Sequence, residues 1–437
     1  MTEGPPEVSL SAASRVWAKV ALQSFGGPAG QIGVIHRLVV DERGWVSESR
    51  FLHALSYCMM LPGPEAQQLT TYLGWRLHGV RGGLIAGTLF IVPGFVSILA
   101  LSVLYAEFRN LGLVAGLFFG LKPAVLAVVV EAVLRLRRRA LTRPSSLVIA
   151  ACAFVTIFAF GVPFPLIVLA AAAAGVLVER RSAPHHDAPD PVEPGSTPLP
   201  PWKRSARTAL LWLTIWLVPV VALRLALGPG HVFVTQGVFF SKAAVVTFGG
   251  AYAVLTYVAQ QAVEVHEWLA PNEMLDGLGM AETTPGPLIQ VVQFVGFMGA
   301  FRHPGSLDPV VAGVIGSVVT TWVTFVPCFL FVFLGAPYVE FLRKHQPLNA
   351  ALRGVTAAVV GVVVNLAAWF ALHTLFRDVA QMELGPVRLS VPRLASLDWR
   401  TLAIALGALV AMLGFRLGMI RTLIGAAAAG VLLWLLG

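Results

Sequence analysis

Leu61–Gln68 reads LPGPEAQQ and Thr283–Gln290 reads TTPGPLIQ, a Pro-Gly-Pro set twice into runs that are otherwise apolar. A proline inside a helix removes a donor and collides with the turn before it, and it drives the preceding residue out of the helical region. A helix must therefore stop at Pro62 and Gly63, and again at Pro285 and Gly286. A new one can begin at Pro64 or Pro287, because the first helical position has no use for its N–H. The Thr284 hydroxyl is placed to cap the second of these helices, whereas Leu61 at the matching position cannot cap the first. Helix starts carry free N–H groups and partial positive charge, the chemistry that holds a small anion. Gln67 and Gln290 lie one turn further on and offer amide donors, and Thr283 offers a second hydroxyl.

Upstream stands another pair, Ser24-Phe25-Gly26-Gly27 and Thr247-Phe248-Gly249-Gly250, whose double glycine lets backbone come close to a ligand. Lys19 and Lys242 precede it by about a turn; they suit anion neutralisation, or snorkelling from a helix end to the interface. Lys122 in GLKPAVLAVVV and Arg353 in ALRGVTAAVVG are looser counterparts, set either at the same gap or at a span's entry. Glu65 follows one PGP and Glu282 precedes the other. A carboxylate inside a membrane is expensive and usually functional, so each is a candidate proton carrier or half of a salt bridge. Taken singly, PGP kinks a helix for packing and Gly-Gly lets helices touch. Their joint recurrence favours a site.

The recurrence is a repeat. Pro62 and Pro285 differ by 285 − 62 = 223, and the same offset pairs KVALQSFGG (Lys19 onward) with KAAVVTFGG (Lys242 onward) without a gap. Between positions 19 and 67 it gives 13 identities in 49 pairs, among them Gly, Pro and Trp, which apolar bias alone does not produce. VPGFVS from Val92 and VPCFLF from Val326 continue the match at an offset of 234.

The elements that carry these motifs are membrane spans. The 437 residues are 57% hydrophobic and 12% charged, with mean hydropathy +0.78; soluble domains carry about 25% charge. Thirteen apolar blocks are long enough to cross or enter a bilayer: 16–37, 50–75, 82–105, 111–134, 145–161, 162–178, 208–227, 233–263, 274–300, 308–334, 349–373, 400–415 and 418–436. They give an all-α polytopic protein with broken or re-entrant helices at FGG and PGP. Its divisions are an N-terminal repeat (1–178), a polar Pro-rich linker (179–207), a connecting span (208–232) and a C-terminal repeat (233–437). Lys and Arg place the N-terminus, Arg135–Arg143 and the linker in the cytoplasm; the loop at 377–400 is the weak point, with four Arg on the outer side. Seven crossings separate the copies if 208–227 spans. The halves then face opposite ways, the inverted-repeat plan of secondary transporters with a site at the midplane.

The net charge of +9 sits in short loops, so nucleic acid is not the expected partner; the lipid bilayer is. Cys58, Cys152 and Cys328 form no disulfide framework or metal motif. His185 and His186 lie in the linker without ligand-spaced partners. No catalytic set, zinc spacing or phosphate-binding loop is present, so no cofactor, metal or enzyme activity is expected. The N-terminus lacks the layout of a cleaved signal peptide. Trp45 and Trp268 are expected as interface anchors. From the residues alone, an anion-suited secondary transporter, an anion channel and a cation carrier using Glu65 and Glu282 stay open.

SFGGPAGQIGVIHRLVVDERGWVS, LPGPEAQQLTTYLGWRLHG, KAAVVTFGGAYAVL and AETTPGPLIQVVQFVGF together resemble the chromate ion transporter family in its long, duplicated form. The resemblance covers nearly the whole chain outside the linker. It implies export of chromate, with sulfate as the similar oxyanion, across the bacterial inner membrane to give chromate resistance. It also implies a pathway lined by the FGG and PGP residues, and it allows a homodimer. Leu61 in place of the second copy's threonine breaks the symmetry of the hydroxyls.

Overall fold

The computed structural model describes residues 8–25, 27–109, 111–181, 201–248, 251–338, 345–385 and 387–436. The first half runs α1 (Leu10–Gln23), α2 (Gly27–His36) with a π turn (Arg37–Asp41), α3 (Glu48–Cys58), α4 (Glu65–Phe108), α5 (Gly112–Ala140), α6 (Pro144–Phe160) and α7 (Phe164–Arg181). Helix α8 (Trp202–Leu227) leads to α9 (Val232–Val246), α10 (Ala251–Gln260) with a π turn (Gln261–Val265), α11 (Pro271–Thr283), α12 (Val291–Arg302) and α13 (Pro309–Gly335). The chain ends with α14 (Gln346–Leu375), a hairpin of β1 (Val379–Leu384) and β2 (Val387–Pro392), α15 (Trp399–Leu409) and α16 (Met419–Leu435). Helices α4, α5, α8, α13 and α14 are long and apolar enough to cross a membrane. The blocks at 16–37, 50–75, 233–263 and 274–300 are instead each broken in two, at the FGG and PGP motifs.

Helix α4 is not one rod. His78 (φ −138°, ψ 26°) and Gly79 (φ 61°, ψ −153°) turn the chain back. The arm before them packs on the arm after them so closely that a Cβ on Gly74 would meet the Gly82 carbonyl oxygen at 2.5 Å. Helices α12 and α13 form the matching hairpin, with Gly296 against Gly316 and Thr320. Backbones approach this closely only at small residues, which is how helices gain contact area when lipid supplies no hydrophobic drive.

The halves are exchanged around α5 and α14. Helix α5 packs on α15 and α16, while α14 packs on α6 and α7. The crossings are alike: a Cβ on Gly120 would meet Ala426 O at 2.0 Å, and one on Gly175 would meet Ala350 O at 2.2 Å.

Two expectations change. Trp268 is 3% exposed and stacks on Phe240 and His266, so it is a core residue and not an interface anchor. The Arg-rich loop at 377–400 is folded: it contains the β-hairpin, an exception to an all-α chain, pinned where Arg377 pairs with Asp398 at 2.9 Å. Burial alone would raise the Asp398 pKa, but Arg377 and the N–H groups of Arg400 and Thr401 hold it below the ordinary value.

Candidate functional site

The four chain breaks meet in two crosswise pairs. Helix α1 ends at Ser24 (φ −81°, ψ 75°) and α9 at Thr247 (φ −77°, ψ 76°). These are inverse γ-turns, closed by Phe25 N–H to Gln23 O and Phe248 N–H to Val246 O, each 3.0 Å. Each hydroxyl donates one turn back, Ser24 to Val20 O and Thr247 to Ala243 O. The turn leaves the carbonyl of Ser24 or Thr247 pointing out of its own helix, and the PGP of the other half receives it. Gly63 N–H donates to Thr247 O at 2.7 Å, and Gly286 N–H to Ser24 O at 2.9 Å. The two bonds are equivalent under one offset, 286 − 63 = 247 − 24 = 223.

Two further break carbonyls are satisfied by side chains, where a membrane supplies no water. Gln68 donates to Pro62 O and Gln31 to Gly286 O, both at 2.7 Å. Only glycine fits at the two centres: φ is 130° at Gly63 and 112° at Gly286. Behind them lie the paired VPG and VPC motifs, again crosswise. A Cβ on Gly286 would be 3.0 Å from Gly94 Cα, and one on Gly63 would be 3.1 Å from Cys328 Sγ. The junction is closed, and the void beside it, lined by Thr247, Ile289 and Thr324 among others, measures about 10 Å³, room for about one water. A larger recess of about 470 Å³, lined by His231, His266 and His303, opens elsewhere and touches neither motif.

Ser24, Phe25, Gly27, Pro62, Gly63, Pro64, Thr247, Phe248, Pro285, Gly286 and Pro287 are brought to or beside this junction. Gly26, Gly249 and Gly250 lie outside the described residues. Helix α4 starts after Pro64, as expected, but after Pro287 a short 3-10 turn, Leu288–Gln290, precedes α12. Thr284 does not cap that helix: its hydroxyl donates back to Ala281 O, as Thr283 does to Gly279 O. Gln67 and Gln290 are buried; the Gln67 amide donates to Thr71 in α4 and the Gln290 amide to Gln293 in α12 and Thr321 in α13, and among the described residues neither Oε1 has a partner. Glu65 is half-buried in the first turn of α4. Lys19 is half-exposed and pairs with Glu42 at 3.7 Å, Lys242 is exposed, and Arg353 pairs with Glu179 at 2.9 Å, away from the junction.

Lys122 is engaged otherwise. It pairs at 3.3 Å with Asp276, which also accepts from Tyr105 at 2.7 Å. Asp276 belongs to a set on α11 that the sequence did not single out beyond Glu282. Glu273 accepts from Arg302 at 2.6 Å and from Arg109, and its other oxygen takes the Ala270 N–H at 2.8 Å. Glu282 accepts from Tyr252. All three carboxylates are buried, at 4%, 2% and 1% exposure for Glu273, Asp276 and Glu282. Their signal was three acids inside PNEMLDGLGMAETTPGP; the partners Tyr105, Arg109 and Tyr252 lie too far away in sequence for spacing to reveal them.

A family model described as chromate transporter matches residues 12–176 and 234–431. A chromate transport protein of Pseudomonas aeruginosa is 33% identical over 372 residues, which are 82% of this chain and 80% of that protein. A chromate transport protein of Cupriavidus metallidurans is 27% identical over 365 residues, 82% of each. A probable chromate transport protein of Synechococcus elongatus is 27% identical over 82% of this chain and 84% of its own. No solved structure matches.

Proposed function

The chain belongs to the chromate transporter family, and from that premise we propose that it exports chromate from the cytoplasm as a secondary transporter of two inverted repeats. The reciprocal pair, Gly63 to Thr247 and Gly286 to Ser24, carries this reading. Each PGP break points its glycine N–H at a break of the opposite half, and here each donor is covered by a carbonyl there. Rocking one half against the other uncovers two donors at once, and a tetrahedral oxyanion accepts from both. The buried hydroxyls of Ser24 and Thr247 stand at the same place and supply further donors by rotation. Sulfate offers the same shape and charge, so chromate as substrate comes from the relatives' names and not from the donors.

The driving force suits export across a bacterial inner membrane with the N-terminus inside. One charge crossing 100 mV is worth about 2.3 kcal/mol, and a dianion leaving a negative interior gains roughly twice that. The test is uptake of labelled chromate into inverted vesicles, with sulfate, molybdate and phosphate as competitors. Saturable, potential-driven uptake is expected. Gly63→Val and Gly286→Val, at positions where a side chain is strained, are expected to lower it about tenfold or more. Protein-dependent uptake that never saturates would instead indicate a channel, and uptake of other oxyanions without chromate would overturn the substrate.

A further inference from the structure

Three buried carboxylates share α11, and two of them have cations. Glu273 has Arg109 and Arg302, and Asp276 has Lys122. Among the described residues Glu282 has none, its one hydrogen-bond partner is the Tyr252 hydroxyl, and Oε2 accepts from nothing. That oxygen faces the junction: a Cβ on Gly27 would lie 3.9 Å from it and 3.8 Å from the Tyr252 hydroxyl. Of the elements around it, α10 contributes Tyr252, and α5 contributes Glu131 and Arg135, which act through space and are paired with each other at 2.5 Å. The cations that the end of α4 and α12 bring to α11, Arg109 and Arg302, are taken up by Glu273, and Lys122 of α5 by Asp276. The pair also breaks the repeat, because the 223 offset places Met59 opposite Glu282 and Ala29 opposite Tyr252. A pair needed only to hold the shared fold would be expected in both copies.

We infer that Glu282, positioned by Tyr252, couples proton uptake to oxyanion binding, so that one proton travels with each dianion. The inference rests on the anion site proposed above. A dianion at the Ser24–Gly286 junction and an ionised Glu282 would be like charges in a dry site, where neither is neutralised. A proton on Oε2 removes the repulsion and turns the carboxylate edge into a donor. Binding is reciprocal: if the proton favours the anion, the anion favours the proton by the same factor. The proton passes from water to the carboxylate and back, with no other bond changed. Carrying it halves the net charge moved per turnover from two to one.

The experiment uses the purified full chain in proteoliposomes with a trapped pH dye and labelled chromate, at alkaline pH where chromate is the dianion. Wild type is expected to move one proton with each chromate and to respond to an imposed potential as a carrier of one charge. Its KM should rise about tenfold per pH unit above the midpoint, as for a site competent only when protonated. Glu282→Gln is expected to abolish both the proton movement and that rise; chromate's own protonation is common to both proteins and cancels in their KM ratio. Tyr252→Phe, which removes one hydroxyl, should displace the wild-type pH profile and covers the case in which the Gln variant does not fold. Chromate uptake by wild type without proton movement, or with an identical pH profile in Glu282→Gln, overturns the inference and leaves the transport reading standing. Absence of any oxyanion uptake by wild type removes both.

Discussion

Single side chains on α11 show what burial demands of charge. Asp276 is 2% exposed and held by Lys122 and Tyr105, and breaking such a pair from one side leaves an uncompensated charge. Lys122→Met is therefore expected to destabilise the protein by about 3 kcal/mol. Adding Asp276→Asn should restore most of it, read as the melting temperature of both variants in detergent; equal melting of Lys122→Met and wild type would show the pair to be dispensable. Sequence reasoning reached Lys122 but set it either at the gap or at a span's entry. Nothing in the spacing joins it to a residue 276 − 122 = 154 positions away. The same limit hid Tyr105 and Tyr252, whose hydroxyls meet carboxylates only after the long helices cross. Ser24 and Thr247 were legible because the break that positions each is local to its own motif.

At the scale of elements, the chain is a set of helices stopped and reversed by small residues. The stops at PGP and FGG follow from backbone chemistry and were readable. The reversal at His78–Gly79 falls in the gap between the blocks 50–75 and 82–105, where Arg76, His78 and Arg81 interrupt the apolar run. What closes that hairpin is the absence of side chains at Gly74 and Gly82. Gly74→Leu would drive its side chain into the Gly82 carbonyl and the Ala86 methyl, so folded yield should fall about tenfold or more, since overpacking a tight crossing costs roughly 1–3 kcal/mol. Gly425→Ala, on α16 where a Cβ meets nothing within 4 Å, should melt no lower than wild type. Similar losses at both positions, measured by size-exclusion chromatography, would mean that helix crossing is not what glycine serves here.

Seen whole, the molecule is two halves that complete each other. The repeat was legible at its motifs, yet the exchange of α5 and α14 between halves was not, because apolar helix faces carry no label of their partner. Both PGP N–H groups are satisfied only from the other half, and α5 finds its closest crossing on α16, α14 on α6 and α7. The polar stretch between residues 182 and 200 joins the two. In genetic terms that join is dispensable. Residues 1–190 and 191–437 expressed as separate chains should assemble, co-purify and restore chromate uptake to inverted vesicles lacking it, while either alone does neither. A protein whose two parts complement in this way has no need to be one gene.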